Sequence, residues 1–473
     1  MLAGGLGILP VMIEIVPIDT PSLGDRGYLA TDGQVALVVD PQRDFDRIIA
    51  TAAELGVPIT HVLETHIHND YVTGGLALAR AAGAEYLVNG ADPVRFARTP
   101  VEDGDVIEAG GMLVQVLGTP GHTFTHLSYG LLDAETGAVA AAFTGGSLLN
   151  GSTGRTDLMG AAHAEALSRA QFRSARRLAR DLPGSAPVCP THGFGSFCSA
   201  SPATGRGSTI ADEERVNPVL TQTEDSFVRE LLAGLDAYPA YYARMGPANL
   251  AGPAAPDLSA PRSVDPAELR RRIDAGEWVV DLRSRTAFAA GHLPGSLNFE
   301  GGPSFATYVG WLIPWGTPLT LIGASPDDVG QAQRELCRIG IDEIAGAASG
   351  DVALLGDDRA GLESFPAADF AALAAALGLG APSGHAGLVV LDVRRASEWE
   401  AGHIDGALHV PLHELAGRMG EIPDGEIWVH CQGGYRAAIA ASMLAADGRP
   451  VVAVCDDFTA AREAGLLAAP AQR

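Results

Sequence analysis

The chain has 473 residues, 47% hydrophobic and 19% charged, a globular composition too long for one ordinary core, so two to four domains are expected. Its net charge is −25 and its 32 cationic residues are all Arg, a balance that argues against nucleic acid or an anionic membrane surface as partner. Five scattered Cys and no apolar run of 18 residues argue against a disulfide framework and a membrane span; a short opening Met1–Pro10 without a basic residue argues against a signal peptide, so a cytoplasmic protein is expected, with Met12 a candidate start.

Ile13–Val16 and Gln34–Val39 read as strands, the second closed by the turn Asp40-Pro41. Phe45–Leu55 has apolar residues at helical spacing, and Val57–Leu63 is a buried-strand run. That run delivers Glu64-Thr65-His66-Ile67-His68-Asn69-Asp70-Tyr71 before a helix over Leu76–Ala82. Two imidazoles and a carboxylate two residues apart lie on one side of an extended loop, where they can converge on a metal ion. The strand Met112–Leu117 and the turn Gly118–Gly121 then present His122. Val139–Phe143 opens into Thr144-Gly145-Gly146, and an amphipathic helix covers Ala164–Leu182. Pro187–Pro190 leads to Thr191-His192-Gly193. His61 reads as a core residue and His126 as a structural group. Leu232–Ala251, with three Tyr, closes this part as a helical cap, and the Pro/Ala-rich stretch beyond it is a linker.

The rest of the chain repeats. Val279-Val-Asp-Leu-Arg283 matches Val390-Leu-Asp-Val-Arg394, and Gly291-His292 matches Gly402-His403 at the same offset, so two copies of one small parallel α/β domain are expected. In the second copy the strand Glu426–His430 runs into Cys431-Gln432-Gly433-Gly434-Tyr435-Arg436 and a helix over Ala437–Ala446. A Cys at a strand-to-helix junction meets a helix N-terminus and a nest of backbone N–H groups, both of which favour thiolate. The two Gly let the loop curl around the sulfur, and Arg436 adds a cation. The first copy has Gly323 where the nucleophile would fall, followed by Asp327 and Asp328. Cys337 and Cys455 read as structural.

The His-x-His-x-Asp, Gly-His-Thr and Pro-Thr-His-Gly stretches, in that order, resemble the metallo-β-lactamase superfamily, and the fuller wording of the first and last resembles its persulfide dioxygenase branch. The repeated part resembles rhodanese domains. The resemblance implies an αββα sandwich over 12–250, a linker over 251–262, and rhodanese-like domains over 263–350, without the nucleophilic Cys, and 365–473, with Cys431. It further implies one Fe(II) per chain, held by two His and one Asp, with a low-molecular-weight thiol persulfide oxidised by O2 to sulfite. Sulfite and a Cys431 persulfide then give thiosulfate, or the reverse. His66 and His122 match the two imidazoles, but Gly146 stands where the Asp is expected, and Tyr71 replaces a His of two-metal members. His68, Asp70 and His192 are the groups left to complete the site, with Asp157 a further candidate. A set of His66, His68 and His122 would also suit Zn²⁺. Cys198 is a candidate sulfur relay. Three functions stay open: the dioxygenase with sulfurtransferase, a zinc-dependent thioester-type hydrolase with a rhodanese tail, and a sulfurtransferase with a degenerate metal domain. A homo-oligomer is equally open.

Overall fold

The computed structural model describes residues 13–200, 207–356, 361–378 and 387–467, so the expected start at Met12 lies outside the described residues. No helix among them is long and apolar enough to cross a membrane. The chain divides into two compact units, one running to Asp257 and including Cys337–Gly340, the other made of Leu258–Leu336 and the residues from Ile341 onward.

In the first unit β1 (Glu14–Thr20), β2 (Asp25–Thr31), β3 (Ala36–Val39), β4 (Ile59–Leu63), β5 (Glu85–Asn89) and β6 (Thr99–Val101) form one sheet in that order. β1 to β3 are antiparallel, and β3 to β6 are parallel. β7 (Val106–Ala109), β8 (Met112–Gly118), β9 (Leu127–Asp133), β10 (Val139–Gly145), β11 (Pro187–Pro190) and β12 (Ser208–Thr209) form the second, in the order β12-β11-β10-β9-β8-β7. Strand alternation explains the layering. Leu37 and Val39 point into the core between the sheets, against Met112, Val114, Tyr129 and Phe143. Ala36 and Val38 point the other way, onto the helices Asp46–Leu55 and Gly75–Ala82. The outer face of the second sheet packs Leu117, Ala142 and Val188 against the helix Ala164–Asp181. The result is the expected αββα sandwich. His61, on β4, is only half-buried and so is not the core residue expected.

The second unit holds two parallel sheets. β13 (Trp278–Asp281), β14 (Leu297–Asn298), β15 (Leu319–Gly323) and β16 (Ile344–Ser349) pair in the order β14-β13-β15-β16. β17 (Ala367–Ala368), β18 (Leu388–Asp392), β19 (Leu408–His409), β20 (Glu426–His430) and β21 (Val451–Val454) pair in the order β17-β21-β20-β18-β19. The repeat has a physical reason. Arg283 grips Asp281 and donates to the Gly291 carbonyl at 2.9 Å, and Arg394 does the same with Asp392 and the Gly402 carbonyl at 2.8 Å. Each clamp ties the end of the first strand to the turn that starts the second half of its copy.

Candidate functional site

His66, His68, His122 and His192 lie at the same edge of the sandwich, where β3, β4, β8, β10 and β11 end and the antiparallel β2 begins. The rings of His66 and His68 are 4.1 Å apart between centroids, those of His66 and His122 4.8 Å, and those of His122 and His192 5.2 Å. All four are buried. Donor atoms of His66, His68 and His192 come within 4.8 Å of one another, as do those of His122, His192 and Cys198, and of Asp25, Asp70 and His192.

Hydrogen bonds fix how each ring is presented. Thr65 Oγ1 donates to Asp40 and so accepts from His66 Nδ1 at 2.9 Å, which turns His66 Nε2 into the cluster. His122 Nδ1 donates to the Arg155 carbonyl at 2.7 Å, and its Nε2 is buried without a partner. Burial, reinforced by the neighbouring histidines, holds His66 well below its ordinary pKa and His122 at about 3, so both rings are neutral with a lone pair inward. His192 is the opposite. Burial works against its charge, but Asp70 and Asp25, at 3.1 and 2.8 Å from Nδ1, hold it well above its ordinary value. Burial and the nearby Asp70 push Asp25 up to about 8; at Asp70 the effect of burial is outweighed by His192, and that carboxyl stays low. His68 Nε2 lies 3.3 Å from Asp40 and 3.2 Å from Glu64, which overcome burial and raise it to about 9.

Two departures from the expected ligand set have clear causes. A Cβ on Gly146 would lie 2.4 Å from His122 Cδ2 and 2.6 Å from its Cγ, so the His122 ring fills the space an Asp would need. Tyr71 is fully buried, its ring stacks on His68 at 4.3 Å between centroids, and its hydroxyl lies 3.0 Å from His68 Nε2. It therefore offers its hydroxyl to His68 where two-metal members of the resembled superfamily have a His. Asp157 is bound to Arg155 at 2.7 and 2.8 Å, which takes it out of the candidate set. His126 spends both nitrogens, on Thr119 and on the Gly146 N–H, in keeping with a structural role. Cys198 is fully buried, and burial together with Asp70 and Asp25 pushes its thiol well up. Its sulfur lies beside His122 and His192.

Sequence reasoning missed Asp25, Asp40, Glu64 and Asn249. Asp40 has φ of +49°, unusual for a non-glycine residue, and accepts from the Thr65 N–H at 2.7 Å and from the Thr65 and Thr191 hydroxyls. The Asp40-Pro41 turn at a strand end was the available signal. Asn249, on the helix Tyr242–Ala251, donates to the His68 and Tyr71 carbonyls at 2.9 Å each and accepts from the Thr73 N–H, clamping the metal-site loop.

The cluster fits a metal ion. His68 Nδ1, His122 Nε2, Asp25 Oδ2 and Asp70 Oδ1 are all buried without a hydrogen-bond partner. Each such atom costs about 1–3 kcal/mol when left unmet, and ligation of a metal ion would relieve that cost for those that reach it.

In the second unit, Cys431 is buried immediately after β20, and the Gly434 N–H donates to its Sγ at 3.1 Å. Gly434 has φ of +86°, and a Cβ there would lie 3.0 Å from Cys455 Cα, so glycine is required on both counts. Gln432 and Gly433 are exposed at the mouth of the loop. The helix starts at Tyr435, two residues earlier than expected, and the Tyr435 hydroxyl donates to the Glu300 carbonyl at 3.0 Å instead of facing the sulfur. Arg436 is a correction as well. Its guanidinium is bound at both nitrogens to Glu398, at 2.6 and 2.7 Å, so its charge is matched and does not serve the sulfur alone. In the first copy, a Cβ on Gly323 would lie 2.9 Å from the Ser325 carbonyl oxygen and 3.2 Å from Asp328 Cβ, leaving no cradle for a sulfur.

The Glu398–Arg436 pair makes a pH prediction. Burial would raise Glu398, but Arg436 outweighs it and holds the carboxyl at about 2, below its ordinary 4.5. A lowered carboxyl stabilises the fold above its unfolded value, and that share is lost as pH falls from about 4.5 toward 2. Glu398→Gln is therefore expected to cost about 2–3 kcal/mol at neutral pH and to lose this acid dependence, checked by thermal melts across pH.

Comparison with known proteins agrees with this architecture. The Metallo-beta-lactamase superfamily model matches residues 27–192, and the Rhodanese-like domain model matches 265–344 and 376–461. The mitochondrial persulfide dioxygenase ETHE1 of Bos taurus is 30% identical over 213 residues, covering 44% of this chain and 73% of that protein. A hydroxyacylglutathione hydrolase of Polaromonas sp. is 31% identical over 221 residues, covering 41% of this chain and 80% of that protein. The solved structure of a metallo-beta-lactamase from Staphylococcus aureus subsp. aureus COL has a TM-score of 0.64 and 28% identity, covering 72% of this chain and 99% of that one. Sandwich, histidine cluster and tandem repeat thus lead to one assignment: the chain belongs to the metallo-β-lactamase superfamily, with persulfide dioxygenases among its relatives, and carries two rhodanese-like domains after that domain.

Proposed function

We propose that the first unit oxidises the terminal sulfur of a low-molecular-weight thiol persulfide at a single metal ion, and that the second carries sulfur on Cys431. In the first reaction a persulfide, one O2 and one water give the thiol, sulfite and two protons. In the second, sulfite takes the outer sulfur of a Cys431 persulfide, giving thiosulfate and the free thiol, or the reaction runs backwards.

The observation that carries the first half is the buried histidine cluster, with unmet atoms on His68, His122, Asp25 and Asp70, and with Tyr71 hydrogen-bonded to His68 where two-metal relatives have a His. His66, His122 and His68, with Asp70 or His192 beside them, are the groups to hold Fe(II). Its contribution when bound is activation of O2 toward sulfur. The chain's own residues do the rest. Thr65 and the Arg155 carbonyl hold the inward nitrogens of His66 and His122 free of protons. Asp25 and Asp70 flank His192 Nδ1 and fix its ring, and all three are buried. The carrier for the second half is the Gly434 N–H on Cys431 Sγ at the start of a twelve-residue helix, a fixed donor for a sulfur anion.

The donor set also suits Zn²⁺, and hydroxyacylglutathione hydrolases are among the relatives, so metal content is the discriminating measurement. Full-length protein expressed with iron and zinc both available is expected to hold about one iron per chain. Zinc in its place, with turnover of glutathione thioesters, would establish the hydrolase instead.

A further inference from the structure

Cys455 reads as structural from sequence because no basic residue stands near it in the chain. The fold changes its surroundings. β20 and β21 are parallel neighbours with Val429 facing Ala453, and Cys431 and Cys455 are each the residue immediately after their strand. The Val429–Ala453 pair is the last paired position, and the same register carried two residues further would set Cys431 beside Cys455. Facing residues of neighbouring strands lie about 4.8 Å apart, inside the roughly 4.4–6.8 Å between Cα atoms that a disulfide spans.

Two further contacts hold the loops together past the strand ends. The Phe458 N–H donates to the Gln432 carbonyl at 2.9 Å, joining the loop after Cys455 to the loop after Cys431. Gly434, whose N–H is on Cys431 Sγ, packs so closely over Cys455 that an added Cβ would meet Cys455 Cα at 3.0 Å and Cβ at 3.5 Å. Both thiols are free, and Cys455 is partly exposed where Cys431 is buried. Partial burial pushes the Cys455 thiol up, and the charge of Arg285 acts in the other direction.

We propose that Cys455 is a second reactive thiol of this site, which discharges the Cys431 persulfide as hydrogen sulfide and leaves a Cys431–Cys455 disulfide. This rests on the reading of Cys431 as a sulfur carrier. The Cys455 sulfur attacks Cys431 Sγ, and the bond from Sγ to the outer sulfur breaks. The outer sulfur, which already carries one hydrogen, leaves with the proton that Cys455 gives up, so one thiol and one persulfide become one disulfide and one hydrogen sulfide. The two cysteine sulfurs supply the two electrons that reduce the outer sulfur, so no outside reductant is needed for this step. Two equivalents of a low-molecular-weight thiol, the class of molecule released by persulfide oxidation, reopen the disulfide and reset the site. The consequence is a choice of product. With sulfite at hand the outer sulfur leaves as thiosulfate, and without it the sulfur leaves as sulfide while the site closes.

The test loads full-length protein with glutathione persulfide without O2 or sulfite, removes excess donor, blocks free thiols, and follows sulfide release and peptide masses at Cys431 and Cys455. The expected result is sulfide release with a Cys431–Cys455 cross-linked peptide. Cys455→Ser should instead keep the extra sulfur on Cys431 and release sulfide at least about tenfold more slowly. Wild-type protein that retains the Cys431 persulfide without forming the cross-link overturns the proposal while leaving the carrier role of Cys431 standing. If Cys431 takes up no sulfur in either form, the carrier role itself falls, and this proposal with it. The wild-type cross-link is read independently of how well the variant folds.

Discussion

Cys431→Ser is expected to lower thiosulfate:cyanide sulfurtransferase activity at least about 1,000-fold while leaving persulfide-dependent O2 uptake within about twofold of wild type. A hydroxyl in place of the thiol cannot form the persulfide, and Gly323 with Asp327 and Asp328 leaves the first copy no nucleophile to take over. The two reactions also share an intermediate. Wild-type protein given glutathione persulfide and O2 should yield thiosulfate, whereas Cys431→Ser should stop at sulfite. Activity that survives chelation and disappears in the variant locates sulfur transfer at Cys431. Unchanged activity in the variant would move it elsewhere.

The second large effect is expected at His122. Its Nε2 is buried and unmet, and its ring fills the space in front of Gly146. His122→Ala removes one of two neutral inward imidazoles and should reduce metal affinity more than about 100-fold, beyond the 10- to 100-fold typical of losing a group behind a ligand. O2 uptake should fall with it. The metal-free variant should also melt lower than metal-free wild type, because the Arg155 carbonyl loses its donor and the buried ring leaves a cavity, whereas Cys431 chemistry should be unaffected. A variant that keeps full metal content would remove His122 from the set and shift attention to His66, His68 and His192.

How far the sequence was readable depended on where each partner lies along the chain. His66 and His68 share one loop, and His122 and His192 each follow a strand, so motif and strand pattern sufficed to place them at one edge. Gly146 and Gly323 were readable too, as residues missing from expected places, and the structure adds that neither has room for a side chain. Apart from Glu64, four residues before His68, the unread groups are joined by tertiary folding. Asp25 reaches His192 across 167 residues, Asn249 reaches His68 across 181, and Arg436 meets Glu398 across 38. Single-residue readings overstate charge for the same reason. Arg436 reads as a free cation until Glu398 is seen, and Cys455 reads as isolated until β21 is laid beside β20.

Metal ligation is the central question, because Gly146 removes the Asp that the iron-binding pattern of the resembled branch supplies. His68, Asp70 and His192 lie in the buried cluster with His66 and His122, and the proposed site draws on them in place of a ligand at position 146. Restoring that Asp would require His122 to move. The most direct measurement is O2 consumption by full-length protein loaded with Fe(II) and given glutathione persulfide, beside metal-free and His122→Ala controls. The expected result is one O2 consumed for each persulfide oxidised and one sulfite equivalent formed, recovered as sulfite or thiosulfate, with both controls at background. No uptake above the metal-free control by protein shown to hold iron would contradict it.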